Sequence, residues 1–279
     1  MQIINHRLCH DDGMPYTFFP NKNYPPNTKV FCEYLVIHYT TGTIPQQTIN
    51  WFTNPAAKAS AHLLLSREGE FYQFVPFDRV GWHAGFSQWA NRKSLNGYAI
   101  GIEVDNAGAL TKKNGVYTRQ NRVFAPDEVI ETNHKLEYSI RGWEKYPPAQ
   151  MAALLEVSKL LKATYDFGDV VGHDDISLSG KTDPGPAFDM TAFRDEVMGF
   201  VPGQAWVFKN CMPNQVLRKK ANDLAGSSGK LVLNKQVVVL GYERNWAQVQ
   251  EVLPDGISLG PLQGWMRERF LKRVRPFGV

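Results

Sequence analysis

The chain has 279 residues, 43% of them hydrophobic and 21% charged, with a formal net charge of +4. That length suits two domains, one with a sizeable core, and the composition is that of an ordinary globular protein. No run of eighteen apolar residues occurs, so no membrane insertion is expected, and the three cysteines (Cys9, Cys32 and Cys211) form no CxxC pair, which argues against a disulfide framework or a cysteine metal site.

In chain order, the start MQIINHRLCHDDG lacks the basic stretch and apolar core of a secretory signal. Cytoplasmic residence is therefore expected, with lysis or a dedicated secretion system needed to reach a wall or periplasm. Residues 1–33, rich in Pro, Asn and Asp, read as an irregular N-terminal wrap. Tyr34–Thr40 (YLVIHYT) is a short apolar, β-branched run that ends in polar residues, as a buried strand does. Pro45 opens an amphipathic helix to about Thr53. Residues 61–75 read as two strands joined at Glu68–Gly69, and Tyr98–Val104 as a further strand after the Asn96–Gly97 turn signal. Residues 107–146 form a polar excursion with one hairpin. Pro147–Pro148 start the clearest helix, to about Tyr165, with Met151, Leu154, Leu155, Leu160 and Leu161 on its apolar face. A short helix follows near Met190–Phe200. Strand, helix, strands and helix in this order predict an α/β architecture, a mixed central β-sheet flanked by helices.

Val201–Pro202–Gly203 then punctuates the chain, giving domains of 1–200 and 204–279. In the second, alternating runs (Gln215–Arg218, Gln236–Tyr242, Trp246–Val252, Gly264–Phe270) between Gly-, Ser- and Asn-rich turns predict a small β-barrel. Residues 201–279 hold 12 Lys+Arg against 5 Asp+Glu, a balance of +7; residues 1–200 hold 19 against 22. A basic module beside a mildly acidic one favours an anionic polymer, and on charge alone nucleic acid and cell wall fit equally.

Three segments carry candidate metal ligands. His38 ends the first core strand, His173 follows the apolar Val170–Val171 in VVGHDDIS, and Asp183 lies in GKTDPGPAFD, where Pro184 and Pro186 stiffen the loop. Two imidazoles and a carboxylate suit zinc and leave a fourth position for water. Taken singly, each has an ordinary structural reading: a strand-end histidine satisfied locally, an Asp forming a turn before Pro. Glu103 stands in the apolar strand IGIEV, where burying a carboxylate is expensive without a partner or a purpose.

The segments IHYTTG, SAHLLLSREGEFYQF, VGWHAG, IGIEVDN and GHDDISLSGKTDPGPAFD resemble the motifs of the amidase-2 family of N-acetylmuramoyl-L-alanine amidases, related to phage lysozyme amidases and peptidoglycan recognition proteins. The likeness spans roughly residues 30–200 in the right order, GHDDISLSGKTDPGPAFD being the most specific. It implies an amidase/peptidoglycan-recognition fold, one Zn2+ held by His38, His173 and Asp183, and hydrolysis of the bond between a muramyl lactyl group and L-alanine. It makes Glu103 the general base and Lys181 the group that stabilises the developing oxyanion. Trp82 and His83 of VGWHAG, with Asn106, become candidates for binding substrate; His62 reads equally as a substrate-site residue or a core histidine. Asp174 and Asp175 read as turn residues supporting the ligands, whereas His6, His10 and His134 have no motif around them. Phage relatives place a tyrosine where this chain has Ala61, which puts more weight on Glu103.

The tail, with NQVLRKKAN, VVVLGYERNWAQVQ and GWMRERFLK, resembles a bacterial SH3-like module of the kind that binds peptidoglycan. Together these resemblances select peptidoglycan or muropeptides over nucleic acid as partner. They suggest a wall-lytic enzyme, an endolysin or an antibacterial effector, the latter implying an immunity protein. The alternatives are a cytoplasmic amidase recycling anhydromuropeptides and a non-catalytic peptidoglycan receptor. A zinc protease is disfavoured because HExxH does not occur.

Overall fold

The structure, a computed structural model, describes all residues except Asn21, Pro202, Gly203 and Val279. Pro202 and Gly203, where the sequence marks the domain boundary, thus lie outside the described residues. The chain divides into two compact units, Met1–Ser87 with Ser94–Phe200, and Gln88–Lys93 with Val201–Val279. The Gln88–Lys93 hairpin, invisible in the sequence pattern, sorts with the second unit, where Ala90 N–H donates to Arg269 O at 2.6 Å.

The first unit is built on a six-stranded mixed sheet. Its spatial order is Asp169–Gly172, Tyr34–Tyr39, Ala99–Val104, Leu63–Leu65, Phe71–Gln73, Thr17–Phe18. Tyr34–Tyr39 is parallel to both neighbours and buried at every position, which is why it reads as a continuous apolar run rather than an alternation. Helix α1 (Pro45–Thr53), α2 (Pro148–Tyr165), α3 (His173–Ile176) and α4 (Met190–Met198) complete the unit.

Side-chain parity decides which helix covers which face. Leu35, Ile37, Ile100 and Ile102 share one face with Leu154 and Leu161 of α2 and Phe193 of α4. Leu64 points the other way and packs with Ile49 and Phe52 of α1. The buried stripe of α2 is Gln150, Leu154, Val157, Ser158 and Leu161. Met151, Leu155 and Leu160, expected on that stripe, only flank the core, because the helix buries a stripe rotated toward Val157. Helix α4 starts where the Asp189 carboxylate accepts from Ala192 N–H at 2.9 Å.

Two segments carry more order than the sequence suggested. The N-terminal wrap contains a hairpin, Gln2–Ile4 with Arg7–Cys9, and the strand Thr17–Phe18 extends the main sheet. The excursion 107–146 is a five-stranded antiparallel sheet rather than one hairpin: Ala109–Lys113, Val116–Arg119, Arg122–Phe124, Val129–Asn133 and Ile140–Glu144. Its first turn, Asn114–Gly115, has both φ angles positive, at 50° and 79°, the requirement of a tight two-residue hairpin. It owns a small core of Ala107, Leu110, Phe124 and Val129. A charged knot ties it down: the buried Glu144 carboxylate accepts from Arg67 at 2.9 Å and from Arg122 at 3.0 Å, and Arg67 also pairs with Asp105.

The second unit contains a seven-stranded antiparallel sheet ordered Ser227–Leu231, Gln215–Arg218, Leu259–Arg267, Trp246–Val252, Gln236–Glu243, Trp206–Asn210, Leu271–Pro276. Leu217, Leu231, Val237, Val249, Met266 and Leu271 form its core. The sequence pattern missed the first and last strands and Ser227–Leu231, which are short or interrupted by glycine and charge.

Candidate metal centre and cavity

Sheet register brings the candidate groups together. Tyr34–Tyr39 pairs in parallel with Ala99–Val104 so that His38 stands beside Glu103, and Glu103 stands beside Leu64 on its other side. Paired residues share a face, so His38 and Glu103 project on the α1 side, opposite α2 and α4. On the outer flank of His38, Gly172 aligns with Ile37, so the next residue, His173, arrives level with His38 as α3 begins.

The His173–Pro184 loop is held from several directions. Asp174 N–H donates to Asp183 O at 2.7 Å, and Gly172 N–H donates to the Asp175 carboxylate at 2.7 Å. Tyr39 OH meets Thr182 Oγ1 at 2.7 Å, and Tyr146 OH donates to Pro184 O at 2.8 Å. A Cβ at position 172 would lie 2.7 Å from Pro184 Cδ, so glycine is what permits this close approach. Asp174 and Asp175, read from sequence as supporting turn residues, do support the loop. The Asp174 carboxylate takes a 2.9 Å hydrogen bond from the excursion's His134, and Lys135 bridges both acids. His134, which carried no signal in the sequence, is thus a buried strut between the excursion and α3.

His38 Nδ1, His173 Nδ1 and Asp183 Oδ2 converge with separations of 3.0, 3.0 and 2.9 Å. All three residues are buried, and together they are a set able to hold a metal ion. Ligands about 2.0–2.1 Å from a tetrahedral ion stand about 3.3 Å apart, so the triangle needs to open only slightly to fit zinc. Burial, reinforced by the neighbouring His173, lowers the His38 pKa to about 4, so its imidazole is neutral at neutral pH. Burial pushes the Asp183 carboxyl up, but hydrogen bonds from His173 and His38 outweigh it and hold the group ionised. A neutral imidazole at His38 and an ionised carboxylate at Asp183 are ligand states that suit a cation.

Next to this triangle opens a cavity of about 520 Å³, lined by His38, Trp82, Glu103, His173, Lys181 and Asp183 among others. The Glu103 Oε2 is shielded from solvent and has no hydrogen-bond partner. Burial, with the Asp183 charge adding to it and Lys181 opposing it, raises the Glu103 pKa well above the usual carboxylate range. Such a group is poised to exchange protons with whatever enters the cavity. Lys181 is exposed at the rim and Trp82 is 36% exposed.

The remaining candidates separate. His83 is buried yet also lines the cavity; its Nδ1 lies 3.0 Å from His38 Nε2 and its Nε2 3.2 Å from Ala99 O. His62 and Asn106 lie outside the cavity lining. His62 is spent on Gly101 N–H and Arg79 O, and Asn106 on the carbonyls of Glu144 and Lys145 and on Gly108 N–H. Backbone groups thus pair the polar atoms of both residues, which act as structural hubs in this chain. Sequence reasoning missed Trp51 and Gln120, which also line the cavity. Trp51 is 54% exposed on α1, whose buried residues are Thr48, Ile49 and Phe52; a tryptophan on the polar side of an amphipathic helix was the available signal. Gln120 comes from the excursion and accepts from Gln47 at 2.7 Å, and nothing local marks it. A larger cavity, about 720 Å³, lies on the excursion sheet among Val116, Val123 and Phe124, and none of the candidate residues reaches it.

Comparison with known proteins finds relatives among the N-acetylmuramoyl-L-alanine amidases. 1,6-Anhydro-N-acetylmuramyl-L-alanine amidase AmpD of Escherichia coli is 35% identical over 157 residues, which is 55% of this chain and 67% of that protein. N-acetylmuramoyl-L-alanine amidase AmiD of the same organism is 31% identical over 177 residues, 60% of this chain and 54% of that protein. A crystal structure of AmpD superposes with a TM-score of 0.49 at 26% identity, covering 70% of this chain and 99% of that one. Residues 26–186 match the Amidase_2 family model, described as N-acetylmuramoyl-L-alanine amidase, and the chain belongs to that family.

Proposed function

We propose that this chain binds one Zn2+ through His38 Nδ1, His173 Nδ1 and Asp183 Oδ2, and cleaves the muramyl lactyl–L-alanine amide with Glu103 and Lys181 as its catalytic residues. The amide hydrolysis itself is the chemistry of the family to which it belongs. Held at that triangle, zinc would supply a Lewis acid for the amide carbonyl and for water. The observation that carries the residue assignment is the parallel register, which places the shielded, unpartnered Glu103 carboxyl beside His38.

In this reading Glu103 takes a proton from the attacking water as oxygen adds to the lactyl carbonyl carbon. It then delivers that proton to the alanine nitrogen as the C–N bond breaks. Glu103 thus ends as it began. Lys181, at the rim, opposes the negative charge that develops on the carbonyl oxygen. Trp82 and Trp51 offer flat apolar faces on which a sugar ring or peptide packs.

The second unit serves as an SH3-like module that holds the enzyme on polymeric wall. Its support is the +7 balance of residues 201–279 and their antiparallel strands. On this reading the enzyme is lytic, reaching the wall through lysis or secretion. A second reading rests on AmpD, whose name specifies the 1,6-anhydro sugar: a recycling amidase that acts on soluble fragments. Purified sacculi and soluble anhydromuropeptides, each digested with and without a zinc chelator, separate the two. Chelator-sensitive release from sacculi supports wall action. Cleavage of soluble fragments alone overturns it and leaves the recycling enzyme.

A further inference from the structure

Of the excursion's residues 107–146, Gln120 alone lines the cavity beside the metal centre. It stands at the two-residue tip of a hairpin, between the paired Arg119 and Arg122. Its φ of 52° lies in the left-handed region, which residues other than Gly, Asn and Asp seldom occupy. Such outliers persist only where the surroundings hold them, and they gather at positions that clamp ligands. Here the hold comes from around the start of α1, where the Gln120 side chain meets Thr43 and Gln47, 77 and 73 positions earlier in the chain.

A carboxamide can face either way, and a main-chain group decides which way these two face. Thr43 N–H can only donate, so the side-chain atom that meets it at 3.0 Å is Gln47 Oε1. Gln47 therefore turns Nε2 toward Gln120, and the atom it meets at 2.7 Å is Gln120 Oε1. The Thr43 hydroxyl donates to the same oxygen at 3.2 Å. Both acceptor positions of that oxygen are thus filled, while the two N–H groups on Gln120 Nε2 have no partner among the described residues. The turn that sets this direction is itself pinned. Gly42 N–H donates to Thr40 Oγ1 at 3.1 Å, and Gly42 O accepts from Arg67 at 3.3 Å. A Cβ at position 42 would stand 3.0 Å from Gln47 Oε1, so glycine leaves room for the amide.

We infer that Gln120 is a specificity-determining residue, whose side-chain NH2 donates to an oxygen acceptor of the bound substrate, an amide carbonyl or a carboxylate. The inference rests on the reading of this cavity as a muropeptide site. Gln47 and Thr43 are positioning residues in this arrangement: they occupy the oxygen of Gln120 and so leave only donors for substrate.

The test uses the full-length chain with soluble muramyl-tripeptide as probe. Gln120→Gly suits the left-handed backbone and removes the side chain. Gln120→Glu keeps an oxygen for Gln47 and Thr43 but replaces the two donors with an acceptor. The expected result is a KM about 3–10-fold higher in Gln120→Gly and at least as high in Gln120→Glu, with a smaller effect on kcat. If Gln120 only straps the hairpin to α1, Gln120→Glu behaves as the unaltered chain does, which overturns the proposal. Two further probes locate the acceptor. Muramyl-L-alanine lacks the later stem residues, and de-N-acetylated muramyl-tripeptide lacks the acetamido carbonyl of the sugar. The penalty should disappear with the probe that lacks the acceptor, and a penalty unchanged on both overturns the proposal. Calorimetric binding of the same probes keeps this separate from the catalytic reading. Gln120-dependent binding without cleavage would strike down the catalytic reading and leave the recognition standing, whereas no binding by the unaltered chain overturns it.

Discussion

Of the polar and charged side chains buried among the described residues, Asn210 alone belongs to the second unit, and the others, from Asn23 to Arg194, lie in the first. The second unit closes over Leu217, Val237, Val249 and Met266, and its one buried amide is satisfied by the carbonyls of Met212 and Val232 and by Met212 N–H. The first unit tolerates the converging side chains of His38, His173 and Asp183, an unpartnered carboxyl and the Arg67–Glu144 knot. Buried polar groups are costly unless fully paired, so their concentration marks where the chain trades stability for chemistry. The two units should therefore respond differently to mutation.

The largest effect should come from removing a ligand. Asp183→Ala leaves two imidazoles facing an incomplete site, and zinc affinity should drop well beyond the roughly 10–100-fold typical of losing an outer partner. Isothermal titration with zinc and assay of muropeptide cleavage read this together. Glu103→Gln comes next: turnover should fall by about 10²–10⁴-fold while zinc still binds. Retained zinc with lost turnover is what separates a proton carrier from a ligand. Lys181→Ala should lower kcat by about 10²–10³-fold with little change in KM, the signature of a group that acts on developing charge.

Smaller effects sharpen the contrast between the units. Asn210→Ala leaves main-chain carbonyls of the second unit unpaired and should cost about 1–3 kcal/mol in its unfolding, with cleavage of soluble muropeptide unchanged. The first unit should instead show a distinctive pH dependence when stripped of metal. His38 and His62 have pKa values lowered by burial to about 4, against 6.5 in the unfolded chain. The unfolded state then binds more protons between these values, so stability falls as pH drops from about 6.5 toward 4. Glu103 has the opposite sign: its raised pKa means stability is lost as pH rises above the ordinary glutamate range, and Glu103→Gln should remove that loss. Denaturant melts of the metal-free chain across this range check both slopes.

Much of the site was legible because its residues follow local rules. YLVIHYT reads as a buried strand with a histidine at its end, IGIEV as a strand with an anomalous carboxylate, and KTDPGP as a stiff loop. The two helices that begin at proline, α1 and α2, start where the sequence places them. What escaped depends on partners distant in sequence. The strands of 107–146 are short and polar because a small core and charge pairs, rather than a long apolar face, hold them. His62 and Asn106 looked like cavity residues because they sit within the motifs, yet their main-chain partners are set by tertiary structure. Gln120 reaches the cavity through a fold of the excursion that no periodicity encodes.

The most direct test of the central claim is cleavage of a defined muropeptide in heavy-oxygen water, with the products read by mass spectrometry. Hydrolysis at the lactyl amide predicts heavy oxygen in the lactyl carboxylate of the sugar and a peptide with a free, unlabelled L-alanine amino terminus. Both should vanish with Glu103→Gln and with chelation. Heavy oxygen in any peptide carboxylate would place the cut elsewhere in the stem and contradict the account.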